Sequence, residues 1–205
     1  PRPSWRPSTA RERVNRPIYL DHHATTRLDP RVLEAMLPYY KEHFGNPASR
    51  NHRFGWTASA AVEKAREECA HLINAAPDRI VFTASSTEAI NLAIKGVAHG
   101  AGPGKHLISS TVEHRAVLDS LARLETRGYR VTLLPVDRTG QVDPAAFAAA
   151  IEKETVLASF IFANNEIGTI NRIAELGEIA RSQGVLLHTD ATQAVGKIPI
   201  DVESL

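Results

Sequence analysis

The sequence has little of several features that mark particular classes of protein. It holds one cysteine, Cys69, so an intrachain disulfide is impossible and nothing indicates an oxidising compartment. No apolar run approaches the roughly 18 residues that a membrane span needs, and no apolar leader with a small-residue cleavage site opens the chain. The net charge is +1, which argues against nucleic acid or a membrane surface as the main partner. We therefore expect a cytoplasmic protein that binds a small molecule or another protein.

The first 16 residues differ from the rest of the chain. Residues 1–16 contain five arginines and three prolines, with Trp5 and Val14 as the large apolar residues. Such a segment cannot form a packed face, so we expect a disordered tail. No linker or repeat divides residues 17–205, which we expect to belong to one domain.

From Pro17 onward, short β-branched runs alternate with longer amphipathic stretches, a pattern typical of an α/β domain with a mostly parallel sheet and flanking helices. The predicted strands are Arg79–Thr83, His106–Ser110, Arg130–Leu134, Val156–Ala163 and Val185–Thr189. The predicted helices include Trp56–Ala75, Thr87–His99, Arg115–Arg127 and Arg172–Gln183. Asp-Pro pairs at residues 29–30 and 143–144 predict two more helix starts, because the carboxylate caps and proline suits the first turn.

One apolar stripe is predicted on the helix at residues 56–75. Its members recur at helical intervals and are Val62, Ala65, Cys69, Leu72 and Ile73. Cys69 lies on this stripe, so we predict that it is a core residue and not a nucleophile.

Polar residues follow several predicted strands, at the edge where parallel sheets bind ligands. Asp190 ends one strand and is followed by Gln193; a carboxylate there can keep a pyridine nitrogen protonated, or it can simply cap the next turn. His114 follows another strand, and Asn165 lies beyond a third, where Asn164-Asn165 is also compatible with an ordinary turn.

A third candidate lies where a predicted strand runs directly into a helix. Ser85, Ser86 and Thr87 place hydroxyls at that helix start, where free backbone N–H groups and the helix dipole suit a phosphate. An ordinary Ser/Thr cap explains the same residues equally well.

Two other patterns do not lead to a site. The glycine-rich segment at residues 100–106 lacks residues that both the phosphate-binding loop and the dinucleotide fingerprint require. His22-His23 and the pair His188 and Asp190 contain metal-ligand types, but no Cys/His set with zinc spacing accompanies them, so we expect no metal site.

Several longer motifs together resemble one family. They are Tyr19-Leu-Asp-His-His-Ala-Thr-Thr26, Phe44-Gly-Asn-Pro-Ala-Ser49, His52-Arg-Phe-Gly55, Asn164-Asn-Glu-Ile-Gly168 and Asp190-Ala-Thr-Gln-Ala-Val-Gly-Lys197. In order and spacing, from about Ile18 to Leu205, they resemble the cysteine desulfurases of iron–sulfur cluster assembly, in the housekeeping and nitrogenase-associated branch. The resemblance implies the large domain of a fold-type I pyridoxal-phosphate-dependent transferase, incomplete at its carboxyl end.

The resemblance also implies residue roles, with pyridoxal 5'-phosphate as the cofactor. His114 would stack on the cofactor ring and assist proton transfer, and Asp190 would pair with the pyridine nitrogen. Gln193 would bond the ring hydroxyl and Asn165 would approach the same oxygen. Ser86 and Thr87 would lie at the phosphate, although the family commonly has Gly-Ala-Thr-Glu where this chain has Ser85-Ser86-Thr87-Glu88.

The implied activity takes sulfur from L-cysteine and leaves L-alanine and an enzyme persulfide for iron–sulfur scaffold proteins, in a homodimer. The family's cofactor-anchoring lysine and sulfur-accepting cysteine would come after Leu205, so we expect these 205 residues alone to be an inactive amino-terminal fragment. Two alternatives stay open: another class V enzyme, such as a selenocysteine lyase or a kynureninase-like hydrolase, and a catalytically dead binding protein.

Overall fold

The computed structural model describes residues 17–102 and 105–205, so the tail predicted at residues 1–16 lies outside the described residues. The helices are α1 (Pro30–Lys41), α2 (Arg53–Leu72), α3 (Ser86–Ala101), α4 (Arg115–Glu125), α5 (Pro144–Ala150) and α6 (Ile173–Ser182). A short 3-10 turn spans Pro77–Arg79. The strands are β1 (His106–Ser110), β2 (Arg130–Leu134), β3 (Thr155–Ile161) and β4 (Leu186–Asp190). In this part of the chain no helix is long and apolar enough to cross a bilayer.

The four strands form one parallel sheet in the order β2-β1-β3-β4. Helices connect successive strands, as parallel pairing requires, and the predicted α/β architecture is confirmed. The chain passes from β1 to β2 on one side and then returns to place β3 and β4 on the other side. The strand order therefore reverses between β1 and β3, and the carboxyl ends of these two strands flank the crevice where such sheets bind ligands.

Helices cover both faces of the sheet. Adjacent residues of a strand point to opposite faces, so they pack against different helices. Leu107 and Ile108 are both fully buried and enter different clusters. Leu107 packs with residues of α3 and α4 on one face. Ile108 packs with residues of α5 and α6 on the other, where the rings of Phe147 and Phe160 meet edge to face with centroids 5.0 Å apart.

Both predicted Asp-Pro helix starts are present. Asp29 and Asp143 are the N-caps of α1 and α5, and each carboxylate accepts from the backbone N–H two residues ahead, at 2.8 and 3.0 Å. Each proline stands in the first turn, where its missing N–H leaves no hydrogen bond unmade.

The predicted strand at residues 79–83 is wrong. Arg79 ends the 3-10 turn, and the residues after it pair with no strand in the described part of the chain. Val81 and Phe82 remain 69% and 49% exposed. The β-branched pattern suits an extended backbone, but a strand also requires a neighbour for its N–H and C=O groups. Instead, the Arg66 guanidinium lies 5.0 Å from the Phe82 ring and donates to the Ile80 carbonyl.

The prediction that Cys69 is a core residue is also wrong, because Cys69 is exposed. The helical period was correct, since α2 spans most of the predicted range. However, Leu72 on the same stripe is 56% exposed, while Ala70 beside Cys69 is buried. Periodicity shows which residues share a face of a helix, but it does not show which face another element covers.

Candidate active site

A cavity of about 590 Å³ opens at the carboxyl edge of the sheet. Five of the six residues predicted for the site line this cavity, namely Ser86, His114, Asn165, Asp190 and Gln193. Thr87, the sixth, does not line it. The cavity also has walls that were not assigned from the sequence, among them Asp21, His23, Glu166 and Thr192. The motif at residues 19–26 was the available signal for the first two.

Asp190 is the last residue of β4 and is 7% exposed. Its Oδ1 accepts from the backbone N–H and the hydroxyl of Thr192, at 3.0 and 2.6 Å. Its Oδ2 accepts no hydrogen bond from the described residues. A nearly buried carboxylate is therefore held firmly at one oxygen, and the other oxygen remains available to a cationic N–H donor in the cavity.

His114 is the N-cap of α4, in the connection that follows β1. Its Nδ1 accepts from the Ala116 backbone N–H at 3.1 Å, so in the neutral ring the proton resides on Nε2. This bond fixes one edge of the imidazole, and Nε2 has no hydrogen-bond partner among the described residues. The sequence alone did not indicate that a histidine would serve as this cap.

The start of α3 provides donors for an anion. The Ser85 hydroxyl accepts from the Glu88 N–H at 3.2 Å, which caps the helix, and the Glu88 carboxylate accepts at 2.7 Å from the N–H of Ala84, the residue before the N-cap. The backbone N–H groups of Ser86 and Thr87 donate to no group in the described chain, so they can serve an anion at this helix end. Thr87 can contribute in this way even though it does not line the cavity.

Ser85 occupies the position at which the resemblance implies glycine. Its φ of −164° is extended backbone that any residue adopts, and its hydroxyl accepts the capping hydrogen bond from the Glu88 N–H. The serine therefore costs no backbone strain and adds a cap to α3. This geometry accounts for the departure from the Gly-Ala-Thr-Glu pattern.

Gln193 connects the cavity to the amino-terminal segment. Its Nε2 donates to the His23 carbonyl at 3.2 Å, and its Oε1 accepts from the Lys197 ammonium. The bond to His23 holds the 21–24 segment, which includes the Asp21 and His23 walls, against the end of the sheet, and the bond from Lys197 orients the Gln193 amide. Within 17–102 and 105–205, no cluster of three His, Cys, Asp or Glu side chains is arranged to hold a metal ion.

A buried carboxyl, Glu113, lies beside these residues and was not assigned from the sequence. It is 6% exposed, and burial raises its pKa to about 7, with a smaller contribution from the negative charge of Asp190. Hydrogen bonds from Ser110 and Ile161 oppose the rise. The sequence signal was only its position directly before His114.

The fold of this chain is that of a known family. The model of the family described as aminotransferase class-V matches residues 18–205, and the chain belongs to this family. Its curated relatives have a more specific name. The chain is 54% identical to the cysteine desulfurase IscS of Anaeromyxobacter sp. (strain K) over 190 residues, which is 92% of this chain and 47% of that protein. It is 52% identical to the cysteine desulfurase of Mus musculus, over 95% of this chain and 42% of that one.

Solved structures agree with this assignment. A NifS-like protein superposes with a TM-score of 0.88 at 39% identity, over 91% of this chain and 52% of that chain. A structure described as SspA in complex with cysteine also gives 0.88, at 37% identity, over 91% and 54%. The chain thus spans about half the length of the relatives it matches.

Class V aminotransferases and cysteine desulfurases are pyridoxal-phosphate-dependent enzymes, which confirms the predicted cofactor for the family. The residues present fit this group. The unpartnered Oδ2 of Asp190 suits a protonated ring nitrogen, and the free N–H groups at the start of α3 suit a phosphate dianion. A single cavity joins Asp190 and Ser86, so one ligand can reach both.

Proposed function

We propose that this chain carries the cofactor-binding part of a cysteine desulfurase that takes sulfur from L-cysteine, gives L-alanine and leaves an enzyme persulfide. The observation that carries the proposal is the meeting of Ser86, His114, Asn165, Asp190 and Gln193 in one cavity at the carboxyl edge of the sheet. The names of the relatives support the choice of reaction. The other two functions considered from the sequence are not favoured, because the curated relatives are cysteine desulfurases.

Each residue would have a distinct task. When bound, pyridoxal phosphate withdraws electrons from the α-carbon of an amino-acid substrate. Asp190 would hold a proton on the ring nitrogen by charge pairing through Oδ2, since its Oδ1 is already occupied by Thr192. The N–H groups of Ser86 and Thr87 would bind the phosphate.

The remaining residues would act around the ring. His114 would pack against it with the ring orientation set by the Ala116 bond, and its Nε2 would give and take a proton near the substrate. Gln193 and Asn165 would orient oxygen atoms of the cofactor and the substrate. Gln193 is itself held by Lys197 and the His23 carbonyl, so its amide presents a fixed face.

The wider assignments rest on the resemblance. We propose a cytoplasmic homodimer that passes persulfide sulfur to iron–sulfur scaffold proteins, with 17–205 as part of one large domain. The implied anchoring lysine and sulfur-accepting cysteine match no position of these 205 residues. We therefore propose that a polypeptide of these residues alone does not turn over cysteine.

The test uses the full-length gene product, purified with pyridoxal phosphate and given L-cysteine. We expect alanine in amounts equal to protein persulfide in the first turnover. If the protein binds the cofactor but makes no alanine from cysteine, it is a class V enzyme with another substrate. If it binds no cofactor at all, the assignment of the cavity is wrong.

A further inference from the structure

Glu113 connects two strands directly beneath the site. It lies between the end of β1 and the start of α4, and its Oε1 accepts from the Ser110 hydroxyl at 2.5 Å and from the Ile161 backbone N–H at 3.0 Å. Ser110 ends β1 and Ile161 ends β3. A single carboxyl oxygen therefore links the two strands that flank the crevice of the sheet.

The bond to Ile161 replaces a missing strand partner. β1 pairs with β3 only as far as Ser109 and Ser159, whereas it pairs with β2 through Ser110, and the Thr111 N–H then donates to the Leu134 carbonyl of β2. The buried Ile161 N–H, which faces the vacated side, would lose a hydrogen bond without Glu113. Ile161 also lines the site cavity and is paired in register with Asp190.

The surroundings of Glu113 suit an uncharged acid. Its Oε2 is buried and has no hydrogen-bond partner among the described residues. An anionic oxygen without a donor is costly in such a place, whereas a neutral carboxyl costs far less. Asp190, on β4, is the charged group that acts on Glu113, and a second negative charge would be repelled. Both bonds at Oε1 use it as an acceptor, which the neutral acid also provides.

A parallel contact strengthens this arrangement. Asn164 donates from Nδ2 to the Val112 carbonyl at 2.8 Å, which ties the connection after β3 to the connection after β1. Glu113 and Asn164 are buried, and each directly precedes a residue that lines the cavity, His114 and Asn165. The hydrogen bonds of Glu113 and Asn164 thus fix the backbone that carries His114 and Asn165.

We propose that Glu113 is a positioning residue of this site, which as a neutral carboxylic acid joins β1 to β3 beneath the cavity and leaves the negative charge there to Asp190. The proposal rests on the proposed function, because it takes the cavity to be the cofactor site. It assigns Glu113 no contact with cofactor or substrate.

The test compares Glu113→Gln and Glu113→Ala with the wild-type full-length gene product. Glutamine keeps an acceptor oxygen for Ser110 and Ile161 and is neutral, whereas alanine removes the link. We expect pyridoxal-phosphate affinity within about threefold of wild type for Glu113→Gln and at least about tenfold weaker for Glu113→Ala. Glu125→Gln, at an exposed glutamate of α4, is the matched control and should leave the affinity unchanged.

A second readout does not depend on the cofactor. The infrared difference between wild type and Glu113→Gln should contain a protonated-carboxyl C=O band at about pH 5.5 that disappears near pH 9. If this band is absent at the lower pH, or if Glu113→Gln loses as much affinity as Glu113→Ala, the neutral acid is excluded. Unchanged affinity in Glu113→Ala excludes the positioning role. A wild-type protein that binds no cofactor but shows the band refutes the proposed function and leaves the neutral acid standing.

Discussion

The sheet region, from α3 to β4, and the amino-terminal region, from Ile18 to Leu72, differ in how they bury their apolar residues. Leu107 and Ile108 at the centre of the sheet are fully buried. In the amino-terminal region Phe44 and Trp56 are 71% and 60% exposed, and none of the residues of α1 is buried. The sheet therefore has a core of its own, whereas α1 and part of α2 present apolar side chains that remain exposed in the described structure.

The difference bears on the site, which uses both regions. Asp190 ends β4 and His114 caps α4, so both project from well-packed elements that set their positions. Asp21 and His23 form a wall of the same cavity but belong to an exposed segment that Gln193 holds through one bond. The sheet region therefore supports most of the cavity lining, and the amino-terminal segment adds one wall to it.

The largest expected effect is a loss of stability when the core of the sheet region is truncated. Phe147→Ala should lower the free energy of unfolding of the full-length protein by about 3–5 kcal/mol, because the fully buried ring leaves a cavity beside Phe160. Phe44→Ala should cost less than about 1 kcal/mol, because its ring is mostly exposed. Urea unfolding measures both. Equal losses would show that the amino-terminal surface is as well covered as the sheet.

A second prediction concerns the pH dependence of the sheet region. The pKa of Glu113 is raised from 4.5 to about 7, so the folded protein retains a proton that the unfolded chain loses. The stability due to this group is therefore complete below pH 4.5 and is lost as the pH rises to about 7. Relative to Glu113→Gln, wild type should lose about 3 kcal/mol over that interval. Parallel stability curves for the two proteins would contradict this.

A third prediction concerns Asp190. Asp190→Ala should weaken pyridoxal-phosphate binding by roughly ten- to a hundredfold, because it removes the charge-assisted bond to the ring nitrogen together with the two bonds that Oδ1 accepts from Thr192. Equilibrium titration of the full-length protein measures it, and Glu178→Gln, at an exposed position of α6, is the control. An affinity equal to that of wild type would remove Asp190 from the site.

The smallest expected effect on stability concerns the Asp-Pro helix start, which occurs in both regions. Asp143→Ala removes the cap of α5, which carries the buried Phe147, and should lower the unfolding midpoint by the equivalent of about 1 kcal/mol. Asp29→Ala removes the same cap from α1, which has no buried residue, and should mainly increase local hydrogen exchange in that helix. If Asp29→Ala costs as much global stability, α1 unfolds together with the sheet.

The sequence was sufficient to predict what depends on local pattern and on parallel topology. Because the carboxyl ends of parallel strands share one edge, residues as far apart as His114 and Asp190 could be expected at one site. Contacts that depend on burial could not be predicted in this way. Nothing in the sequence distinguishes Glu113 from an exposed glutamate, and its partner Ile161 is 48 residues away.

The two errors have a related cause. The run at residues 79–83 has the composition of a strand, and the stripe through Cys69 has the period of a buried helix face. Each pattern describes a surface that requires a partner, and the described chain provides none for either. Residue propensity and hydrophobic period predict a local conformation, whereas the pairing of a strand and the burial of a helix face depend on tertiary contacts.

The most direct test of the central claim is a crystal structure of the full-length gene product with pyridoxal phosphate. We expect the ring nitrogen within hydrogen-bond distance of Asp190 Oδ2 and the phosphate at the N–H groups of Ser86 and Thr87, with His114 against the ring. A cofactor bound outside this cavity, or bound in it with the phosphate away from α3, would show that the cavity is not the site described above.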